Sequence, residues 1–388
     1  MEKILKIIPL VLFVLSCSHP KNNQDNKPEN NLNVAKVSVD IFDVSHVDLS
    51  EVFKKIDLIP LETKDESLVG GITQLIYVKD DYFIIRSGDR NVIIFDNVGN
   101  FISNSLAKRG NGPGEYIHIF CAAYNPFKKT IDILQPQNKI TSYDVLFNFV
   151  SENKINHQRK NYGMFHYIFP IGEMEYMCLN LDIYDDFDKI FFYDTKREEI
   201  VKTITFEDIY CGFTQEESPF YLSDSTYYFA PPLTTYSGYS VDIDNRTLDK
   251  KIYLDFGRKK INLKTIKQYE ENEDIASYLL TSNIPTPDKN LFNNNYVISR
   301  ILVPEKVEMY TFFCNLTTGQ KYMLKEKTKD NYSIPDFHIL EDSVLYAAIH
   351  AYHISEYIDP DLLSDSAKDI LRKIKEEDNP IIVKYYLK

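Results

Sequence analysis

The residues best placed to do chemistry together are His118, His166 and His338, each near the start of an apolar run. If those runs surround one axis, the imidazoles converge and could hold a metal ion or an anionic ligand. If each ring turns toward a neighbour instead, they are polar residues at a rim. His350 and His353 form an H-x-x-H that reads as a strand end, where i and i+3 face opposite sides, so chelation is not expected there. The glycine-rich run Arg-Gly-Asn-Gly-Pro-Gly-Glu-Tyr (109–116) could be taken for a phosphate cradle. It lacks the Gly-Lys-Ser/Thr ending of a phosphate-binding loop and no helix follows it. The reading favoured is a connection between sheets, in which Gly110, Gly112 and Gly114 permit positive φ and Pro113 stiffens the crossing. Glu115 and Tyr116 are then expected at the mouth of a central channel, as candidate ligand-binding residues.

Other chemistry is missing. There is no G-x-S-x-G elbow and no H-E-x-x-H, and the absence of tryptophan excludes the full S-x-D-x-G-x-x-W box of sialidases. With 57 acidic residues in the chain, pairs such as Asp185-Asp186 and Glu216-Glu217 read as solvated loops, and no catalytic residue is assigned. Cys121, Cys178, Cys211 and Cys314 could form two disulfides in an oxidising compartment. Cys121 and Cys314 sit in apolar strands, however, where cysteine behaves as a small buried hydrophobe, so no disulfide is expected. Asp-Ser-Thr (224–226), Asp-Ser-Val (342–344) and Asp-Ser-Ala (365–367) resemble a bacterial O-glycosylation sequon, on three residues each.

The elements that must position these residues are strands. From about residue 56, short β-branched and aromatic runs arrive about every ten residues, among them ITQLIYV (72–78), NVIIFD (91–96) and VEMYTFFC (307–314). Almost no helix separates them, which indicates antiparallel sheets. A strand ending in Asp or Asn before a polar turn recurs at Asp96, Asp144, Asp194, Asp244 and Asn315, at spacings of 48, 50, 50 and 71. Short Asx side chains bond the backbone two residues on and close such turns. A period near 50 with about four strands per unit predicts an all-β, six-bladed β-propeller over 34–388. The alternative is a β-sandwich followed by a second β domain. Two small helical insertions are expected, at about 258–286 and 359–377, the second with Asp359 as N-cap and Pro360 in the first turn. To close the ring, residues 56–62 are predicted to form the outer strand of the blade that ends in 380–388.

The first residues read as an address. Lys3 and Lys6 precede a short apolar stretch that closes on Val14-Leu15-Ser16-Cys17, which looks like a bacterial lipobox. The resemblance implies a signal peptide over 1–17, cleavage before Cys17 and acylation of Cys17; the alternative is an ordinary secretory signal. Residues 18–33, with six Asn and almost nothing apolar, cannot bury enough surface to fold and read as a tether. Such a flexible coil spans on the order of 20–25 Å. The net charge of −13 argues against a nucleic-acid partner, which needs a clustered basic face.

Ile-Asp-Leu-Ile-Pro-Leu-Glu-Thr (56–63), Leu68-Val69-Gly70, the Phe95-Asp96…Gly99 turn and the 109–116 run match a family in order and spacing. They resemble the TolB-like six-bladed β-propeller lipoproteins of Bacteroidota, whose function is uncharacterised. The resemblance implies a six-bladed fold, a cell-envelope location and no assigned catalysis; with the lipobox, the expected location is the outer membrane, lipid-anchored and facing the periplasm or the cell surface. Two functions are then expected. One is a binding or scaffolding propeller for a peptide, a glycan or an envelope protein, without a cofactor; the absence of tryptophan disfavours the glycan. The other is a lactonase- or lyase-type enzyme with a divalent metal such as Ca²⁺ on the channel axis.

Overall fold

The computed structural model describes residues 34–388 apart from 156–164, 181–187, 206–216, 232–234, 263–264, 266–267, 270–271 and 305–307. Six antiparallel sheets follow one another in chain order as the blades of a β-propeller. Their first, innermost strands are Ile72–Val78, Cys121–Asn125, Tyr167–Pro170, Phe220–Ser223, Thr286–Phe292 and Phe337–Glu341. Each is followed outward by an antiparallel neighbour joined through a short turn. A blade is covered on both faces by its neighbours, so its middle strands carry continuous rather than alternating apolar runs. In blade 1, Val92, Ile93, Ile94 and Phe95 are all fully buried.

The recurring Asx turn works as the spacing predicted. The Asp96 carboxylate accepts from the backbone N–H groups of Val98 (3.0 Å) and Asn100 (2.8 Å), and Asp144 repeats this with Leu146 and Asn148. In blade 4 the turn residue is Asp242, not Asp244: its strand is Ser237–Asp242, and Asp242 accepts from the N–H of Asn245 at 3.0 Å. The spacings over blades 1–4 are therefore 48, 50 and 48.

Ring closure follows the expected pairing. Phe53–Pro60 runs antiparallel to Ile381–Leu387, with Ile56 opposite Tyr385 and Leu58 opposite Val383. Asn379 bolts the joint. Its side chain accepts from the N–H of Val69 (2.9 Å) and donates to the carbonyls of Glu62 (2.7 Å) and Ser67 (2.9 Å). Glu62 in turn accepts from the N–H of Phe101, tying the closure to blade 1. Gly99 is required at this crossing: its φ is +96°, and a Cβ there would lie 2.2 Å from the Pro60 carbonyl oxygen.

One strand was not foreseen. Ala35–Ser38 pairs in parallel with the outer edge of blade 4, Ala35 opposite Ile252. The chain then passes over blade 5, where the Ser45 N–H donates to the Met323 carbonyl, and enters blade 6 through the short helix Leu49–Val52. The two insertions contain helix Asn272–Thr281, which buries Ile275 and Leu279, and helix Asp365–Leu371. Asp359 is an N-cap, but of a 3₁₀ turn over Pro360–Leu362, and Ser364 caps the helix that follows. His350 directly follows the strand Val344–Ile349, at its end as expected, and caps a further 3₁₀ turn (Ala351–Glu356) that contains His353. In that geometry i and i+3 share a face, but His353 is engaged by Glu356 at 2.6 Å. Among the described residues no helix is long and apolar enough to cross a membrane.

Candidate functional site

The innermost strands leave a central cavity of about 560 Å³. Its wall is mostly apolar and aromatic, including Tyr77, Tyr124, Ile168, Phe169, Leu222 and Ile339. Leu222 is 45% exposed, an apolar side chain presented to the lumen. Blades 1, 2, 3, 4 and 6 contribute to this wall; among the described residues blade 5 contributes none.

On the blade 5 side stands an ion network. Glu217, just ahead of the first strand of blade 4, pairs with His338 Nδ1 of blade 6 and with Lys289 Nζ of blade 5. Lys289 also lies 3.4 Å from Asp336, which Arg300 holds at 2.8 Å. Glu217 and His338 thus meet across the inner face of blade 5, with Lys289 behind them. Burial alone would raise the Glu217 carboxyl, but the His338 and Lys289 charges outweigh it and hold it below the usual range. Burial would likewise lower the Lys289 ammonium, yet Glu217 and Asp336 raise it above its ordinary value. Asp288, on the same strand, is pushed up by burial against the pull of Arg300.

A second charged group stands where the innermost hairpins turn. Asp224 and Ser225 take positive φ (49° and 60°) in the two-residue turn of blade 4, and Asp342 (53°) opens the matching turn of blade 6. The N–H of Asp342 donates to the Asp224 carboxylate at 3.0 Å. Asp224, Glu341 and Asp342 each place an oxygen within 4.8 Å of the others. Lys79 of blade 1 reaches Glu341 at 2.9 Å and Asp342 at 3.5 Å. A divalent ion held by these oxygens would have to displace that ammonium. Burial and the neighbouring Asp342 raise the Asp224 carboxyl above its ordinary value.

Of the three histidines singled out in the sequence, His338 lines the cavity. His118 pairs with Asp89 at 2.7 Å, its side chain 47% exposed, and is not part of the wall. His166 precedes the first strand of blade 3, where its N–H donates to the Leu179 carbonyl, and it too lies outside the wall. The structure therefore brings one of the three to the channel. Glu115 and Tyr116 are also absent from the wall. Glu115 folds back onto its own loop, accepting from the Gly112 N–H at 2.7 Å. Tyr116 is fully buried, its hydroxyl within 2.5 Å of Ser105 Oγ and donating to the Arg90 carbonyl at 2.9 Å. Burial pushes that phenol up to about 12. The glycine-rich run is thus held as the crossing from blade 1 to blade 2. Cys121, Cys178 and Cys314 are buried free thiols, while Cys211, like Cys17, Asp185-Asp186 and Glu216, lies outside the described residues.

Lys79, Glu217, Asp224, Lys289, Glu341 and Asp342 were not found as site residues from sequence. The signal for two of them was present: Asp-Ser recurs at 224–225 and 342–343, just after the first strands of blades 4 and 6. Read as turn chemistry instead of a sequon, it marks the channel rim.

Comparison with known proteins bears on family and fold. A crystallised Bacteroides fragilis protein, named as an exported protein, is similar at 16% identity and a TM-score of 0.72, covering 91% of this chain and 100% of its own. U3-55K (10% identity, TM-score 0.43, 86% of this chain and 98% of its own) and the Cps50 (Swd1) propeller of Myceliophthora thermophila (9%, 0.43, 86% and 100%) are more distant. No curated protein sequence matches. The model of one family, described as a domain of unknown function, DUF4934, matches residues 32–386, and on that near-complete match the chain belongs to the DUF4934 family.

Proposed function

We propose that this propeller is a non-catalytic, lipid-anchored binding protein of the bacterial cell envelope, taking a small ligand or a segment of a partner into its central channel. The cavity is the observation that carries the reading. Its volume falls within the roughly 300–1,000 Å³ typical of ligand sites, its wall is apolar, and its polar groups gather at two places that could orient a guest. Nothing among the described wall residues supplies a nucleophile activated by an adjacent base. The anchor rests on Cys17 and its lipobox-like approach, followed by the polar tether, which would hold the ring just off the outer membrane. Export is also the description carried by the Bacteroides fragilis protein of like fold.

A photo-crosslinking amino acid at Leu222, inside the channel, is expected to capture a ligand or partner in the native envelope. The same group at Val98, 63% exposed on the turn between the third and fourth strands of blade 1, is expected to capture nothing specific. The reverse pattern would move the binding surface to the rim. For the anchor, Cys17→Ser is expected to abolish labelling by a palmitate analogue and to shift the protein out of the membrane fraction; retained labelling sinks it.

The second reading, a metal-dependent lactonase or lyase, draws on Asp224, Glu341 and Asp342. Under it, added Ca²⁺ raises the melting temperature and Glu341→Gln removes the rise.

A further inference from the structure

The channel is unevenly charged. Among the described wall residues, Glu217, Asp224, Glu341 and Asp342 stand against the single ammonium of Lys79, with His338 beside Glu217. Glu217 is already matched by Lys289 and His338. That leaves three carboxylates sharing one ammonium, and this excess is confined to the end where the innermost hairpins turn. The end is open: the side chains of Asp342 and Lys79 are 66% and 58% exposed, whereas that of Glu341, at 16%, reaches inward. Beyond it the wall becomes aromatic, with Phe169 edge-on to Tyr227 (5.5 Å) and Tyr77 stacked on Tyr346 (4.9 Å). Like charges held together at a partly desolvated site disfavour the ionised state, which is the condition found at Asp224. A guest cation would relieve it. The cavity is far larger than an ion, and tyrosine faces beside carboxylates suit an organic cation that gains from both.

We infer that this channel receives an organic cation: an ammonium or guanidinium group held at Asp224, Glu341 and Asp342, carried on an apolar or aromatic body that lies along Tyr77, Phe169 and Leu222. The inference rests on the channel being the binding site, as proposed above. The group can come from a basic side chain of a peptide or from a free amine, and both present the same chemistry at the rim.

The test is calorimetric titration of the full-length protein with N-acetyl-Phe-Arg-amide, its citrulline counterpart, which is neutral and nearly isosteric, and N-acetyl-Phe-Glu-amide, with benzylammonium as the free-amine probe. The arginine peptide is expected to bind at least about tenfold more tightly than the citrulline peptide, with the glutamate peptide weakest. Asp224→Asn and Glu341→Gln should each erase most of that preference, weakening the arginine peptide far more than the citrulline peptide. Should either variant fail to fold, the wild-type protein carries the same test, because the arginine preference must shrink as salt screens the rim. Benzylammonium competing with the arginine peptide assigns the source to amines generally, and its failure to compete assigns it to peptides. Equal binding of the arginine and citrulline peptides, both lost in Leu222→Trp, overturns the cation preference but keeps the channel as the site. Binding of none of the probes up to millimolar concentration overturns both. Ca²⁺ that binds through the same carboxylates and excludes the arginine peptide overturns the inference in favour of a metal.

Discussion

Blades 4–6 and blades 1–3 are built from the same four-stranded unit but are held together by different means. On the outside, the N-terminal segment is stitched over blades 4, 5 and 6: Ala35–Ser38 pairs with blade 4, Ser45 with Met323 of blade 5, and Phe53–Pro60 completes blade 6. On the inside, Glu217, Lys289 and His338 tie the same three blades at the channel. Among the described residues, blades 1–3 have neither device. They meet through apolar faces and a few buried polar joints, such as Asp132 of blade 2 accepting from the Tyr176 hydroxyl of blade 3 at 2.6 Å. The cavity is walled by blades 1, 2, 3, 4 and 6, so the ion network borders it on one side. One half of the ring is thus fastened by strands and charge, the other packed through apolar faces. An ion network must keep each charge within reach of its partner, whereas apolar faces need only stay in contact.

The change that should damage this arrangement most is Lys289→Met, which leaves Glu217 and Asp336 without their shared cation in a mostly buried setting. A loss of about 3 kcal/mol in urea unfolding is expected, and adding Glu217→Gln should restore part of it. If the single variant costs no more than a surface ion pair, the fastened half is not fastened by charge. Next comes Asn379→Ala, which removes three hydrogen bonds at the closure for a cost of about 2 kcal/mol. Its unfolding should begin at blade 6, read by hydrogen exchange in 381–387. Acid should act on the two charged groups in opposite directions. Glu217, held below its ordinary value, contributes stability that is present above the usual carboxylate range and is lost as pH falls through the lowered value. Asp224, held above its ordinary value, favours the folded state at low pH and loses that contribution as pH rises through the raised value. Urea midpoints between neutral pH and about pH 3 should therefore fall less steeply in Glu217→Gln, and more steeply in Asp224→Asn, than in the parent. The smallest effect belongs to Leu222→Ser on the cavity wall of blade 4, within about 0.5 kcal/mol because the side chain is already half in solvent. A larger loss would mean that the cavity wall is structural.

Much of the ring was legible because its punctuation is local. An Asx turn is closed by its own side chain within four residues, so Asp96 and Asp144 announce their blades without reference to anything distant. The closure was legible for a topological reason: a propeller has an edge at its first and last blades, and sequence order says which segments must cover it. The site was much less so. Glu217 meets His338 and Lys289 across 121 and 72 residues of chain, a pairing that no periodicity carries. His338 was found by its place in the repeat, but the same rule also selected His118 and His166, whose positions ahead of their strands leave them outside the wall. Tyr116 misled in another way. A tyrosine after a glycine run looks like a rim residue, yet its hydroxyl is fully occupied beneath the crossing. Ala35–Ser38 was passed over because a strand of four residues, with one side chain buried, leaves almost no alternation to read.

The pairing of Phe53–Pro60 with Ile381–Leu387 also sets a clock. The sheet that completes the ring joins segments separated by more than 300 residues, about as non-local a contact as this chain can make. Folding rates fall as such contacts come to dominate, because the loop entropy is paid before the contact rewards it. During synthesis, the outer strand of blade 6, Phe53–Pro60, must wait until Ile381–Leu387 has emerged. Until then the rim of blade 1 near Gly99 and the apolar face of Phe53, Ile56 and Leu58 have no cover. A chain built this way stays uncommitted while most of the ring is made, and closes only when Ile381–Leu387 arrives.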